Sequence, residues 1–193
     1  MTTEITTTTE QQKTFSLQAF DHAQRVAKAL SASTMIPKDY QNNIPNTLVA
    51  LEMAHRIGAS PLMVMQNLHI IHGRPSWSSA FIIAALNASG RFTALKYKAT
   101  ATACLAYATE KATGELLEGP TVTIEMAKAE GWLTKQGSKW QTMPELMLRY
   151  RAAAFFGRLY APDIMMGMHA VEEIQDVTEK PEGIAKLTEA VKK

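Results

Sequence analysis

The sequence predicts an α+β fold, with helices on either side of an antiparallel sheet, and three observations carry that prediction. Apolar residues recur at helical spacing near the start, at Phe20, Ala23, Ala27 and Leu30. The middle of the chain changes period: residues 92–99 (FTALKYKA) and 103–110 (ACLAYATE) alternate between apolar and polar. A long apolar helix then follows Pro144. The order is helices, a three-stranded antiparallel meander, and helices again, which separates this class from a regular β/α alternation.

Each element has a local reason. Residues 1–13 (MTTEITTTTEQQK) are polar and of low complexity, so a flexible tail is expected. The first helix is expected over Phe15–Leu30, and the Pro37–Pro45 segment breaks it. Asn46 is expected to cap a helix over Thr47–Ile57, which Gly58 closes. Ser60-Pro61 has the form of a cap followed by a first-turn proline, opening a short helix to Gln66. Leu68, Ile70 and Ile71 make a short strand that Gly73-Arg74-Pro75 turns. Ser76 is read as the cap of an apolar helix, Trp77–Ala88, ended by Gly90. The third meander strand is placed at Thr121–Ile124, after a Thr113-Gly114 turn. A short helix over Glu125–Glu130 and a loop with Gly131, Gly137 and Trp140 lead to the Pro144–Tyr160 helix. Residues 14–176 are read as one domain and 177–193 as a loose tail.

Composition bounds the function. With 193 residues, 46% of them apolar and 20% charged, the chain can bury a core. Its net charge of +2 is not histone-like, so any nucleic-acid binding requires clustered cations. A lone cysteine, Cys104, rules out an internal disulfide and points to a reducing, cytoplasmic compartment. The threonine-rich start has no apolar h-region, and the run Ala80–Leu86 is too short to span a bilayer. No phosphate-binding loop, HExxH or GxSxG is present, which makes an enzyme the weaker expectation. His69 and His72 alternate to opposite faces, and Cys104 reads as packing. Asp163, Glu172 and Asp176 can gather a hard cation, but a solvated acidic helix is the plainer reading.

The helix after Pro144 reads ELMLRYRAAAFFGRLY and is apolar nearly all round, the mark of a buried helix. It nonetheless carries Arg149, Arg151 and Arg158. Arg151 and Arg158 are seven residues apart and project about 20° from each other. Guanidinium stays charged at any working pH, so a buried one needs an anionic partner. Glu145 is placed to pair with Arg149 at i,i+4, but Arg151 and Arg158 have no local acid. Two readings stay open: both pair with distant acids such as Glu52 or Glu125, or both grip phosphates. Lys135 and Lys139 extend the cluster, and Trp132, Trp140, Tyr150 and Phe155 interleave it. Cations with stacking aromatics suit single-stranded nucleic acid. Lys96 and Lys98 share one face of a strand, where solvated edge lysines are the alternative. Trp77 and Trp140 are read as core or stacking residues, with core favoured.

The segment Trp140-Gln141-x-x-Pro144, then Met147-Leu148-Arg149-x-Arg151-Ala152 and Arg158-Leu159, resembles a helix of the lambda Red beta and RecT single-strand annealing proteins. Ala54-His55-Arg56-x-Gly58-x-x-Pro61-Leu62, the helix from Ser76-Trp77 to Gly90-Arg91-Phe92, and Tyr160-Ala161-Pro162-Asp163 with Gly167 and Glu172-Glu173 are also similar. The resemblance covers about Leu48 to Asp176; Glu145 departs from it, standing where that family has a base. It implies ATP-independent binding and annealing of single-stranded DNA by a ring- or filament-forming homo-oligomer, encoded by a phage or prophage. It also implies an exonuclease or host single-strand-binding protein as partner, which the short tail after Asp176 puts in doubt. No cofactor is implied, magnesium serving at most to assist DNA binding. On this reading Arg149, Arg151 and Arg158 are the leading phosphate contacts, with Lys96, Lys98, Lys135 and Lys139 secondary. The alternatives are a passive single-strand-binding protein, a metal-dependent nuclease using Asp163, Glu172 and Asp176, and a structural oligomer with internally paired arginines.

Overall fold

A computed structural model of the chain describes residues 17–71 and 73–176, and the expected tails at 1–13 and 177–193, with His72, lie outside them. The protein is α+β, and its contacts gather into two compact units that divide between Gln66 and Asn67.

The first unit holds α1 (Leu17–Ser31) and α2 (Ile44–Ile57), and α3 (Pro61–Asn67) runs up to the division. Helices α1 and α2 pack together, and Ala27, Tyr40, Ala50 and Ala54 are buried. Helix α2 begins three residues before the expected start, because Asn43 rather than Asn46 caps it. The Asn43 side chain accepts the Asn46 N–H, and Pro45 sits in the first turn, where its missing N–H costs nothing. At the other end Gly58 takes the left-handed conformation (φ 65°), and its N–H donates to the Ala54 and His55 carbonyls.

The second unit is built on two small sheets. In one, β1 (Leu68–Ile71) pairs antiparallel with β2 (Arg74–Trp77), which pairs in parallel with β7 (His169–Ala170). Residues 74–77 are thus a strand, not the expected turn and helix start. Ser78, not Ser76, caps α4 (Ser79–Ala88), its hydroxyl accepting the Phe81 N–H. Pro75 fits a strand here because β7 pairs only with Ser76 and Trp77, leaving β2 an edge at the proline.

The other sheet is the meander, β3 (Lys96–Ala99), β4 (Ala103–Thr109) and β5 (Leu116–Glu118) in antiparallel order, with β6 (Val122–Thr123) pairing the start of β4. The expected third strand is therefore two short ones. Gly119-Pro120 separates them: the Gly119 N–H reaches the Ala106 carbonyl, and Pro120 has no N–H to continue the ladder. Along β4, Cys104, Ala106 and Ala108 are buried while Ala103, Leu105, Tyr107 and Thr109 face outward. Three small residues facing inward let a helix lie close, and α7 (Pro144–Tyr160) crosses β4 there.

Between them run α5 (Ile124–Ala129), capped by Thr123, and α6 (Lys139–Thr142), a turn of helix within the expected loop, capped by Ser138. Helix α7 packs on α4 and α6, and on α8 (Pro162–Met165). Helix α9 (Val171–Asp176) packs on β1, β2 and β7. No helix among the described residues is long and apolar enough to cross a membrane.

Candidate nucleic-acid interface

The apolar surround of α7 is real, and it buries Arg151, which is 6% exposed. The Arg151 guanidinium carbon lies 3.8 Å from the centre of a Trp132 ring. Its Nη2 donates to Asp176 and its Nη1 to Glu173 Oε1 at 3.4 Å. Burial pulls the Arg151 pKa down, and the two carboxylates oppose that shift. Arg158 donates to both Glu173 oxygens, at 2.9 and 2.5 Å, and lies 2.9 Å from His169 Nδ1. Glu173 also accepts the Ala170 N–H at 2.9 Å, and Asp176 accepts the Trp140 indole N–H at 2.9 Å. Burial raises the Asp176 pKa, and the Trp140 bond and Arg151 draw it back.

Several expectations change accordingly. Arg151 is not a surface phosphate contact, and Arg158 is committed to Glu173 with 31% of its side chain exposed. The distant acids are Glu173 and Asp176, whereas Glu52 pairs with Arg56 one turn away and Glu125 is exposed. Trp77 and Trp140 are each 1% exposed, as the favoured core reading expects, and Trp77 stacks on Phe81 at 4.5 Å. The acidic segment is not a solvated helix, because Glu173 and Asp176 are buried. Asp163 binds Arg91 at 2.7 and 3.0 Å and Glu172 accepts the Ser79 hydroxyl at 2.6 Å. Among the described residues no three His, Cys, Asp or Glu side chains are grouped to hold a metal.

Three of the cations singled out in the sequence, Lys96, Lys98 and Arg149, gather around β3. Lys96 and Lys98 are exposed, and Lys96 stands opposite Tyr107 in register. The Lys98 ammonium pairs with Glu118 and lies 5.5 Å from the Tyr107 ring centre. Tyr97, the residue between them, faces α7, where the Arg149 guanidinium lies 5.8 Å from its ring centre. Arg149 is exposed and makes no ion pair among the described residues, so the expected Glu145 partnership is absent. Each side of one edge strand thus carries a cation over a tyrosine. The Tyr97 hydroxyl is buried without a hydrogen-bond partner, and burial pushes its pKa up to about 12. The Cys104 thiol is raised by burial too, consistent with inert packing.

Lys135 and Lys139 stand apart from that group. They line a cavity of about 230 Å³ with Ser138, Glu172 and Asp176. The acids there offset part of their charge. The alternation places Tyr97 on the face opposite the two lysines, but Tyr107 was not singled out from the sequence. Tyr107 comes to the lysines only through the β3–β4 register, in which it stands opposite Lys96. No protein-family model matches this chain, and no curated protein is significantly similar to it.

Proposed function

We propose that this protein binds single-stranded DNA and anneals complementary strands without ATP, with a core like that of the RecT and Red beta proteins. The observation that carries the reading is the group around β3: Lys96, Lys98 and Arg149 exposed, with Lys98 over Tyr107 and Arg149 over Tyr97. Cations follow a phosphate chain, aromatic rings and their neighbours accept bases, and neither reads sequence. The order of motifs from Ala54 to Glu173 supports the same reading by resemblance. Arg151 serves it indirectly, by tying α7 to α9 through Glu173 and Asp176. Annealing tracts are longer than one small domain can hold, so neighbouring subunits extend the groove in a ring or filament.

Two complementary labelled oligonucleotides, mixed with the protein without ATP and with or without magnesium, test the reading. Accelerated pairing is the expected result. Binding without pairing leaves a passive single-strand-binding protein. Magnesium-dependent cleavage, or no binding at all, overturns the proposal.

A further inference from the structure

Beside the β3 group lies a small cavity of about 210 Å³ between the β3–β4 turn and the first half of α7. Thr100, Cys104, Glu145, Leu148 and Arg149 line it. Glu145 and Arg149 stand one helical turn apart, at the spacing where such a pair normally closes. They do not close here, and neither has another ion-pair partner among the described residues. The buried Leu148 and Cys104 line the cavity with them. The unpartnered Tyr97 hydroxyl is near enough to Cys104 and Arg149 for both to shift its pKa. The cavity therefore offers a carboxylate acceptor and a guanidinium donor, neither in an ion pair among the described residues, with Arg149 over the Tyr97 ring and Leu148 and Cys104 beside them.

A phosphate does not suit this set, because Glu145 repels it. A planar group with adjacent donors and an acceptor does. Among nucleobases guanine presents two neighbouring N–H donors, N1 and N2, which a carboxylate accepts together, and the acceptors O6 and N7, which arginine favours. We propose that this cavity holds one unstacked guanine of a bound single strand, with Glu145 on its N1–N2 edge and Arg149 on O6. The proposal rests on the single-strand reading above and adds a base preference to it. A guanine held in this way is withheld from pairing, so the complementary strand must extract it, and guanine-rich tracts anneal more slowly.

The experiment compares a 20-nucleotide dT strand with the same strand carrying three separated guanines, by fluorescence anisotropy. The guanine strand is expected to bind about fivefold tighter, the lower end of what a bidentate base contact discriminates. Replacing guanine by hypoxanthine, which lacks the N2 amine, removes most of that preference, and Glu145→Gln abolishes it. Glu145 is exposed, so the variant folds, which circular dichroism verifies. Equal affinity for the two strands, or a preference that survives Glu145→Gln, overturns the inference while leaving single-strand binding intact. If neither strand binds, the functional reading fails and this inference falls with it.

Discussion

Glu173→Ala removes the centre of the buried ionic cluster. Four donors converge on that carboxylate: both Arg158 Nη groups, Arg151 Nη1 and the Ala170 N–H. Arg158 is exposed enough to recover water, so its loss is small. Arg151 cannot be rehydrated and is left with Asp176 alone, and removing one partner of a buried pair costs about 3–5 kcal/mol. Because Asp176 and the Trp132 ring remain, the lower end applies, about 3 kcal/mol. For a chain of this size that is a fall in Tm of roughly 6–12 °C. Thermal and urea unfolding followed by circular dichroism measure it. A loss under about 1 kcal/mol would refute the reasoning, since it would mean that water reaches the cluster in the native state. The partner experiment is Arg151→Met with Glu173→Leu and Asp176→Leu, which recovers much of the loss because no uncompensated charge remains at that position.

Other outcomes follow from the same geometry. Lys96→Ala lowers the log–log salt slope of single-strand binding by about 0.7, the release of one counterion, with the fold intact. A near-ultraviolet alkaline titration finds Tyr40 and Tyr97 ionising at about 12, both raised by burial from 10.0. These phenols hold their protons more tightly when folded, so stability falls as pH rises from 10 through 12. Arg149→Ala moves the Tyr97 titration further up, since Arg149 opposes the burial effect. Gly119→Ala costs about 1–2 kcal/mol in urea unfolding, because its Cβ would meet the Ala106 carbonyl oxygen at 3.2 Å and Phe156 Cβ at 3.3 Å. Gly157→Ala costs less: its Cβ meets the flexible Met165 sulfur at 3.0 Å, and alanine favours the helix by about 1 kcal/mol.

The fold class was legible because its signals are local and periodic. Helix α7, the alternation of β4 and the Gly58 stop all follow from patterns within one element. The β2 strand was not legible: Arg-Pro-Ser-Trp reads as a turn until Ser78 is known to be the cap and β7 the neighbour. Strands of two or three residues, such as β6 and β7, are too short to show a period at all. At the site, the sequence showed that Arg151 and Arg158 need anions but not which ones, because partners 15 to 25 residues away leave no spacing rule. A clue did exist in Glu173 and Asp176, three apart and so on one helix face, matching two arginines on one face. Lys96, Lys98 and Arg149 were singled out, with Tyr97 on the face opposite the lysines, while Tyr107 and the Arg149–Tyr97 contact became visible only once β3 was placed against β4 and α7.

The carboxylates that make Arg151 tolerable lie near the end of the described chain, in α9, and β7 beside them completes the first sheet of the second unit. Synthesis on the ribosome runs the other way, delivering α7 before its counter-charges. Until Asp176 has left the exit tunnel, the Arg151 guanidinium has no acid to bury against, and α7 cannot settle on β4 with its native inner face. The second unit therefore completes its core late, after most of its residues are already outside. Stop codons placed just before Val171 should leave a nascent product that stays protease-sensitive, whereas one placed after Asp176 releases a resistant unit.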